Sequence, residues 1–150
     1  MDIIIDKAQH DLIQVILANT SSAMEISKIL CDHSEDKILK ADEVICGLIY
    51  RLMIPMTDLE IKNSMDEASS IMNGSSDEDS SDEDIQQEII DDSEDLTIHR
   101  KIRTNNCNCD ICQGTRVCIL NFNEYVPQDE LGDKFKKSII DTCLTYNKII

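Results

Sequence analysis

The sequence predicts a mainly α-helical protein with a small N-terminal helical bundle, a disordered acidic linker and a small α+β cysteine-rich C-terminal module. Three features of the 150 residues support this division. Apolar side chains recur at helical spacing in the first half, the middle is strongly acidic and has no basic residue, and cysteines cluster in the last third. The boundaries fall at 1–74, 75–95 and 96–150. Each ordered part is very small for a domain.

Capping signals divide the first half into four predicted helices joined by short turns. Ser22-Ala-Met-Glu25 and Thr57-Asp-Leu-Glu60 are capping boxes, in which the two side chains satisfy backbone amides at a helix start. Pro55 ends the third helix because proline disfavours helical geometry in the residue before it. The predicted helices span 3–18, 22–31, 57–72 and a segment from Ser34 or Asp36 to Met53.

The acidic segment 75–95 carries eleven acidic and no basic side chains. It begins with a tandem repeat of Ser-Ser-Asp-Glu-Asp, and residues 75–84 contain no apolar side chain. Such a segment buries too little surface to offset the entropy of ordering, so we expect it to be disordered.

The serines of the repeat are candidate phosphorylation sites. Each has an acidic residue three positions later, which resembles the substrate pattern of acidophilic casein-kinase-type enzymes. The alternative is a solvating spacer that no kinase modifies. The candidate residues are Ser75, Ser76, Ser80 and Ser81.

Three cysteines fall within six residues, in the run Cys107-Asn-Cys-Asp-Ile-Cys112. Thiolates in such a cluster, completed by a fourth sulfur or imidazole nitrogen, are typical of a structural zinc site. We therefore expect zinc to be held by Cys107, Cys109 and Cys112. Two other interpretations stay open, namely free thiols in a loop and redox chemistry at Cys109 and Cys112.

The fourth zinc ligand has three candidates. Cys118 follows the cluster most closely, His99 lies eight residues before it, and Cys143 falls on the apolar stripe of a predicted helix. We rank them in that order, although Cys118 and Cys143 also fit a buried core because free cysteine is often buried. His10 and His33, near predicted helix ends, fit surface or structural histidines.

The last third is predicted to mix strand and helix. Residues 98–103 fit a short extended stretch, and Val117–Val126 has the alternation of a strand. A final helix is expected over about 128–146. A module of this size has a small core, so a metal ion would be useful to its stability.

The charge distribution disfavours nucleic acid as the main partner. Net charge is −16 over the chain and +2 over 96–150, the sum of eight basic and six acidic side chains. The acidic surface repels phosphates at long range, although basic residues near His99 and on the last helix leave local contact open. An alternative interpretation is that the basic tail folds back on the acidic segment.

The remaining signals exclude function classes. No segment reaches the roughly 18 apolar residues of a membrane span, and the N-terminus lacks the basic region of a secretory signal. Seven cysteines without an export signal favour a reducing intracellular compartment. No catalytic triad, phosphate-binding glycine loop or metalloprotease motif occurs, so we expect a protein that is not an enzyme.

The cysteine run, followed by Asn123-Glu-Tyr-Val-Pro127 and a short helix, resembles uncharacterised proteins of nucleocytoplasmic large DNA viruses of mimivirus type. This resemblance covers roughly residues 107–140. It implies a location in the host cytoplasm or the virion, and no activity.

These features together favour a noncatalytic binding or adaptor protein with a structural zinc site and a protein partner. The alternatives are a nucleic-acid-associated viral factor and a thiol oxidoreductase that uses Cys109 and Cys112. Partner identity, oligomeric state and the packing of 1–74 against 96–150 stay open.

Overall fold

The computed structural model describes residues 2–74 and 98–150. Within these ranges the chain is mainly α-helical with one minimal sheet, which confirms the predicted fold class. The acidic segment, including Ser75, Ser76, Ser80 and Ser81, lies outside the described residues. The elements are α1 (Asp2–Asp32), α2 (Ala41–Met53), α3 (Asp58–Met72), β1 (Arg100–Lys101), α4 (Asp110–Asn121), a 3-10 turn (Phe122–Glu124), α5 (Glu130–Thr145) and β2 (Lys148–Ile149).

Helix α1 is continuous where the sequence predicts two helices. Polar side chains near the predicted break bond to carbonyls one turn back instead of capping a new helix start. Asn19 Nδ2 donates to Val15 O at 2.9 Å, and Ser27 Oγ donates to Ala23 O at 3.0 Å. Ser22, expected to cap a new helix, is instead buried inside α1.

Helix α3 begins as predicted, whereas α2 begins later than predicted. Thr57 Oγ1 accepts from Glu60 N at 3.2 Å, so this capping box forms. At α2, the carboxylate of Glu43 accepts from Lys40 N at 2.9 Å and fixes the start at Ala41. The residues before it form a loop in which Lys37 has a φ of 54°.

Gly47 of α2 packs directly against the backbone of α1. A Cβ placed on Gly47 would lie 2.1 Å from Ser27 Oγ and 2.5 Å from the carbonyl oxygen of Ala23. The second atom is backbone inside α1 and cannot rotate away. The two helices therefore pack this closely only because residue 47 has no side chain.

The predicted strand Val117–Val126 is wrong, because residues up to Asn121 form α4 and the next three form a 3-10 turn. The buried positions recur at a spacing of three to four rather than two. Val117 and Leu120 are exposed, at 56% and 79%. The buried side chains are those of Cys112, Thr115, Cys118 and Phe122.

The two ordered parts of the sequence share one hydrophobic core, which answers the open question of their packing. Isoleucines and a leucine from α1 and α2 pack with side chains from α4, α5 and the 3-10 turn. Residues of both 2–74 and 98–150 therefore contribute to one core. The buried core residues are Ile26, Leu30, Ile45, Cys46, Ile49, Ile102, Cys112, Cys118, Phe122, Ile139 and Cys143.

A buried ion pair links the two-stranded sheet of β1 and β2 to α2. Strand β1 pairs in parallel with β2, with Arg100 opposite Lys148. Lys148 Nζ lies 3.0 Å from Asp42 Oδ1, and both side chains are less than a tenth exposed. The other carboxylate oxygen of Asp42 accepts from Arg103 N at 2.9 Å. Asp42 therefore neutralises a buried charge and satisfies a backbone amide at once.

None of the helices in the described residues combines the length and the apolar character that a membrane span requires.

Candidate metal centre

Four potential metal ligands converge where the end of α1 meets the start of α4. The Nδ1 atom of His33 lies 3.3 Å from the Sγ atoms of Cys107 and Cys109, and 3.4 Å from that of Cys112. All four ligand atoms lie within 4.8 Å of one another. This cluster could hold a metal ion.

Local backbone geometry places each ligand. His33 continues the last turn of α1, where its amide donates to Ile29 O at 3.1 Å. Cys109 is the N-cap of α4, and its Sγ accepts from Cys112 N at 3.4 Å. Cys107 precedes it in the loop, and its Sγ accepts from Cys109 N at 3.5 Å. The start of the helix thus presents three sulfurs on one side.

Asn105 and Arg116 hold the cysteine loop from outside. Asn105 Nδ2 donates to Cys112 Sγ and to Leu30 O, both at 3.2 Å. Arg116 donates from Nη1 to Asn105 O at 2.8 Å and from Nη2 to Cys107 O at 2.7 Å. Such outer hydrogen bonds orient ligands, and in known metal sites they contribute to affinity.

Two of the thiols differ sharply in acidity. Hydrogen bonds to its sulfur, first of all from the backbone amide of Cys112, lower the pKa of Cys109 to about 6. Burial is the main cause that raises the pKa of Cys112 to about 12. Cys109 is therefore the more acidic of the two thiols, and a nearby cation would favour loss of the proton from Cys112.

The dimensions and chemistry of the cluster fit Zn²⁺. Zn–S bonds of about 2.3 Å and Zn–N bonds of about 2.0–2.1 Å imply tetrahedral N···S edges of about 3.6 Å. The N···S distances of 3.3–3.4 Å lie close to that value. Three sulfurs and one imidazole are also a common structural zinc set. Coordination of an ion through Nδ1 of His33 would leave the ring proton on Nε2.

The three predicted fourth ligands do not belong to this cluster. Cys118 follows Cys112 by six helical residues, which at 1.5 Å each is a rise of about 9 Å and too far to share an ion. It is buried in the core at 5% exposure, as is Cys143 at 4%. Burial raises the pKa of both thiols. His99 is exposed just before β1.

The fourth member of the cluster is His33, for which the sequence alone favours a surface or structural role. It lies 74 residues before Cys107, and no ligand-spacing rule spans that distance. Its position directly after a helix end was visible in the sequence. That signal alone does not select a histidine as a ligand.

Comparisons with protein-family models, with curated proteins and with solved structures find no match for this chain. The geometry of its own residues therefore carries the functional argument.

Proposed function

We propose that this chain is a noncatalytic binding protein whose fold is fastened by a structural zinc ion. The observation that carries the proposal is the convergence of His33 with Cys107, Cys109 and Cys112. Three thiolates and one imidazole complete a tetrahedron, whereas a catalytic zinc ion keeps one position for water or substrate. A site filled by four side chains favours a structural role.

The position of the cluster explains what the ion would stabilise. His33 directly follows α1, and the cysteines lie at the start of α4 more than seventy residues later. A bond between these points removes loop-closure entropy from the unfolded chain, and the binding free energy adds to the folding free energy. The ion would stabilise the core that both parts of the chain share, rather than the C-terminal segment alone.

The test is metal analysis of the full chain purified under reducing conditions. We expect about one zinc ion per chain, and on replacement with Co²⁺ an absorption spectrum typical of tetrahedral sulfur-rich coordination. Removal of the metal should lower the melting temperature of the whole fold. Helices α1 and α5 should unfold in the same transition, because both pack in one core. A chain free of zinc, or melting unchanged by chelation, would contradict the proposal.

A thiol oxidoreductase is the second candidate, and the position of Cys109 favours it. A cysteine that caps a helix and has a pKa of about 6 resembles the reactive thiol of a Cys-x-x-Cys redox pair. Cys107→Ser separates the candidates, since Cys107 is a metal ligand but not a member of that pair. Lost zinc supports the structural site, whereas unchanged zinc with disulfide-reducing activity supports the enzyme.

A protein partner is supported by apolar side chains exposed along the first half of α1. Contiguous exposed apolar surface is typical of interaction sites. Leu12→Lys tests this surface, since it should weaken capture of a partner without changing zinc content. An unchanged set of captured proteins would contradict it. The exposed side chains are Ile4, Ile5, Leu12, Ile13 and Ile16.

A further inference from the structure

The sulfur ligands of the metal cluster are unequally exposed to solvent. Cys107 and Cys109 are partly exposed, and His33 beside them is exposed. Cys112, on the inner side of the cluster, is buried at 1% exposure. A small solute can therefore reach the first two thiols but not the third. The other four cysteines, which all lie in the described part of the chain, are buried: Cys31, Cys46, Cys118 and Cys143.

Cys109 and Cys112 have the arrangement of two thiols that can form a disulfide bond. Cys109 caps α4 and Cys112 lies three residues later, which is the spacing of reactive Cys-x-x-Cys pairs. Their sulfur atoms lie within 4.8 Å of each other. Rotation of the side chains can close that separation to the roughly 2.05 Å of a disulfide. The amide of Cys112 also donates to Cys109 Sγ at 3.4 Å, which favours the thiolate form of Cys109.

Cys107 is less suited to such a bond. Its carbonyl oxygen accepts from Arg116 Nη2 at 2.7 Å, and its amide donates to Asn105 Oδ1 at 3.2 Å, so its backbone is held in place. A bridge from Cys107 to Cys109 would close a smaller and more strained ring than a bridge from Cys109 to Cys112. Oxidation of the cluster should therefore join Cys109 to Cys112.

On the basis of the proposed zinc site, we infer that Cys109 and Cys112 are a peroxide-responsive pair whose oxidation releases the ion. The thiolate of Cys109 attacks one oxygen of hydrogen peroxide, the O–O bond breaks, and hydroxide leaves a sulfenic acid on Cys109. The thiolate of Cys112 then attacks that sulfur, the S–O bond breaks, and a second hydroxide leaves as the disulfide forms. The two thiolates lose the two electrons that the peroxide gains. A thiol such as glutathione reverses the step by exchange and is itself oxidised to a disulfide.

Oxidation would leave His33 and Cys107 as the protein ligands of the ion. Two ligands do not complete a tetrahedral site, and the sulfurs of a disulfide are no longer thiolates, so the ion is lost. The site lies between the end of α1 and the start of α4, so its loss would remove a link across the shared core. Peroxide would thus lower the stability of the whole fold without reaching a buried thiol. An oxidoreductase differs, because it would pass the oxidation on to a substrate.

The experiment treats the full zinc-loaded chain with hydrogen peroxide, follows released zinc with a chromophoric chelator and maps disulfides by mass spectrometry. We expect one zinc ion to be released for each bridge between Cys109 and Cys112, and zinc to bind again after reduction with dithiothreitol. A chain that keeps its zinc throughout, or releases it with a different bridge, would overturn the inference and leave the structural zinc site intact. A chain that never held zinc would contradict the proposed function as well.

Two matched variants identify the reactive thiol. Cys109→His and Cys107→His each exchange one partly exposed cysteine for another zinc ligand, so both keep a set of two sulfurs and two imidazoles. Cys107→His retains the pair and should release zinc at the wild-type rate, whereas Cys109→His should release it at least about tenfold more slowly. Equal rates in the two zinc-loaded variants would rule out the pair. Should either variant fail to bind zinc, the bridge mapped in the wild type decides between the outcomes.

Discussion

The imidazole of His33 and the thiol of Cys107 lie 3.3 Å apart although 74 residues separate them in the chain. Cys107 is followed within five residues by Cys109 and Cys112, so three thiols that are close in sequence lie beside the same histidine. The contact joins the end of the longest described helix to the start of α4. A metal ion at this point would fix how the two halves of the chain pack.

Replacement of His33 should remove a ligand rather than a surface side chain. We expect His33→Ala to lower zinc affinity by at least about 100-fold, because loss of an outer hydrogen bond alone costs about 10–100-fold. Competition with a chromophoric chelator measures the affinity.

His10→Ala is the matched control, since His10 is an exposed histidine on α1, the helix that His33 follows. Its zinc affinity should equal that of the wild type. Cys118→Ala should likewise retain the metal. Loss of zinc in Cys118→Ala together with its retention in His33→Ala would restore Cys118 as the ligand.

Thiol alkylation should show the difference in acidity between Cys109 and Cys46. The pKa of Cys109 is lowered to about 6, so its thiolate and its reaction rate should persist down to about pH 6 and fall below it. Burial raises the pKa of Cys46 to about 12, so Cys46 should not react while the chain is folded. Mass spectrometry of the reduced, metal-free chain, at a temperature where its helical circular dichroism persists, measures both rates.

Reaction of Cys46 at the same rate as Cys109 would mean that the metal-free chain had unfolded, and the comparison would then be repeated at lower temperature. Slow alkylation of Cys109 at pH 7 in a chain with protected Cys46 would contradict the lowered pKa.

Gly47→Ala should destabilise the fold although alanine is the better helix former. The new Cβ would lie 2.5 Å from the carbonyl oxygen of Ala23, so α1 and α2 must separate, at a cost of about 1–3 kcal/mol in the free energy of unfolding. Urea denaturation measures the loss.

Gly114→Ala is the control, since Gly114 lies inside α4. A Cβ placed on Gly114 would have as its nearest neighbour a side-chain atom of Tyr50, at 3.3 Å. That ring can shift slightly, so the higher helix propensity of alanine, about 1 kcal/mol, should offset the contact. Equal effects of the two substitutions would argue against a close crossing at Gly47.

Asp42→Ala should destabilise the protein by about 3 kcal/mol because it removes the carboxylate that neutralises buried Lys148. It also leaves the amide of Arg103 without its acceptor. Glu130→Ala, which breaks an exposed pair with Lys134, should change the free energy of unfolding by less than about 1 kcal/mol. Thermal denaturation of both variants tests the contrast, and similar losses would mean that the pair with Lys148 is solvated.

Local patterns in the sequence determined much of this molecule. The capping box at Thr57 located α3, apolar spacing indicated most of the helices, and the cysteine run supplied three of the four members of the metal cluster. These features depend on residues within one or two turns of each other, and such short-range preferences are readable from spacing alone.

Tertiary structure decided the rest, because it depends on contacts between distant residues. Only packing against α1 and α2 selects helix over strand for residues 110–121, where an apolar run fits both. Only in the folded chain does the missing side chain of Gly47 allow α2 to pack directly against α1. Finally, only the folded chain brings His33 to the cysteines, since no spacing rule extends over 74 residues and the free energy of that contact comes from the whole core.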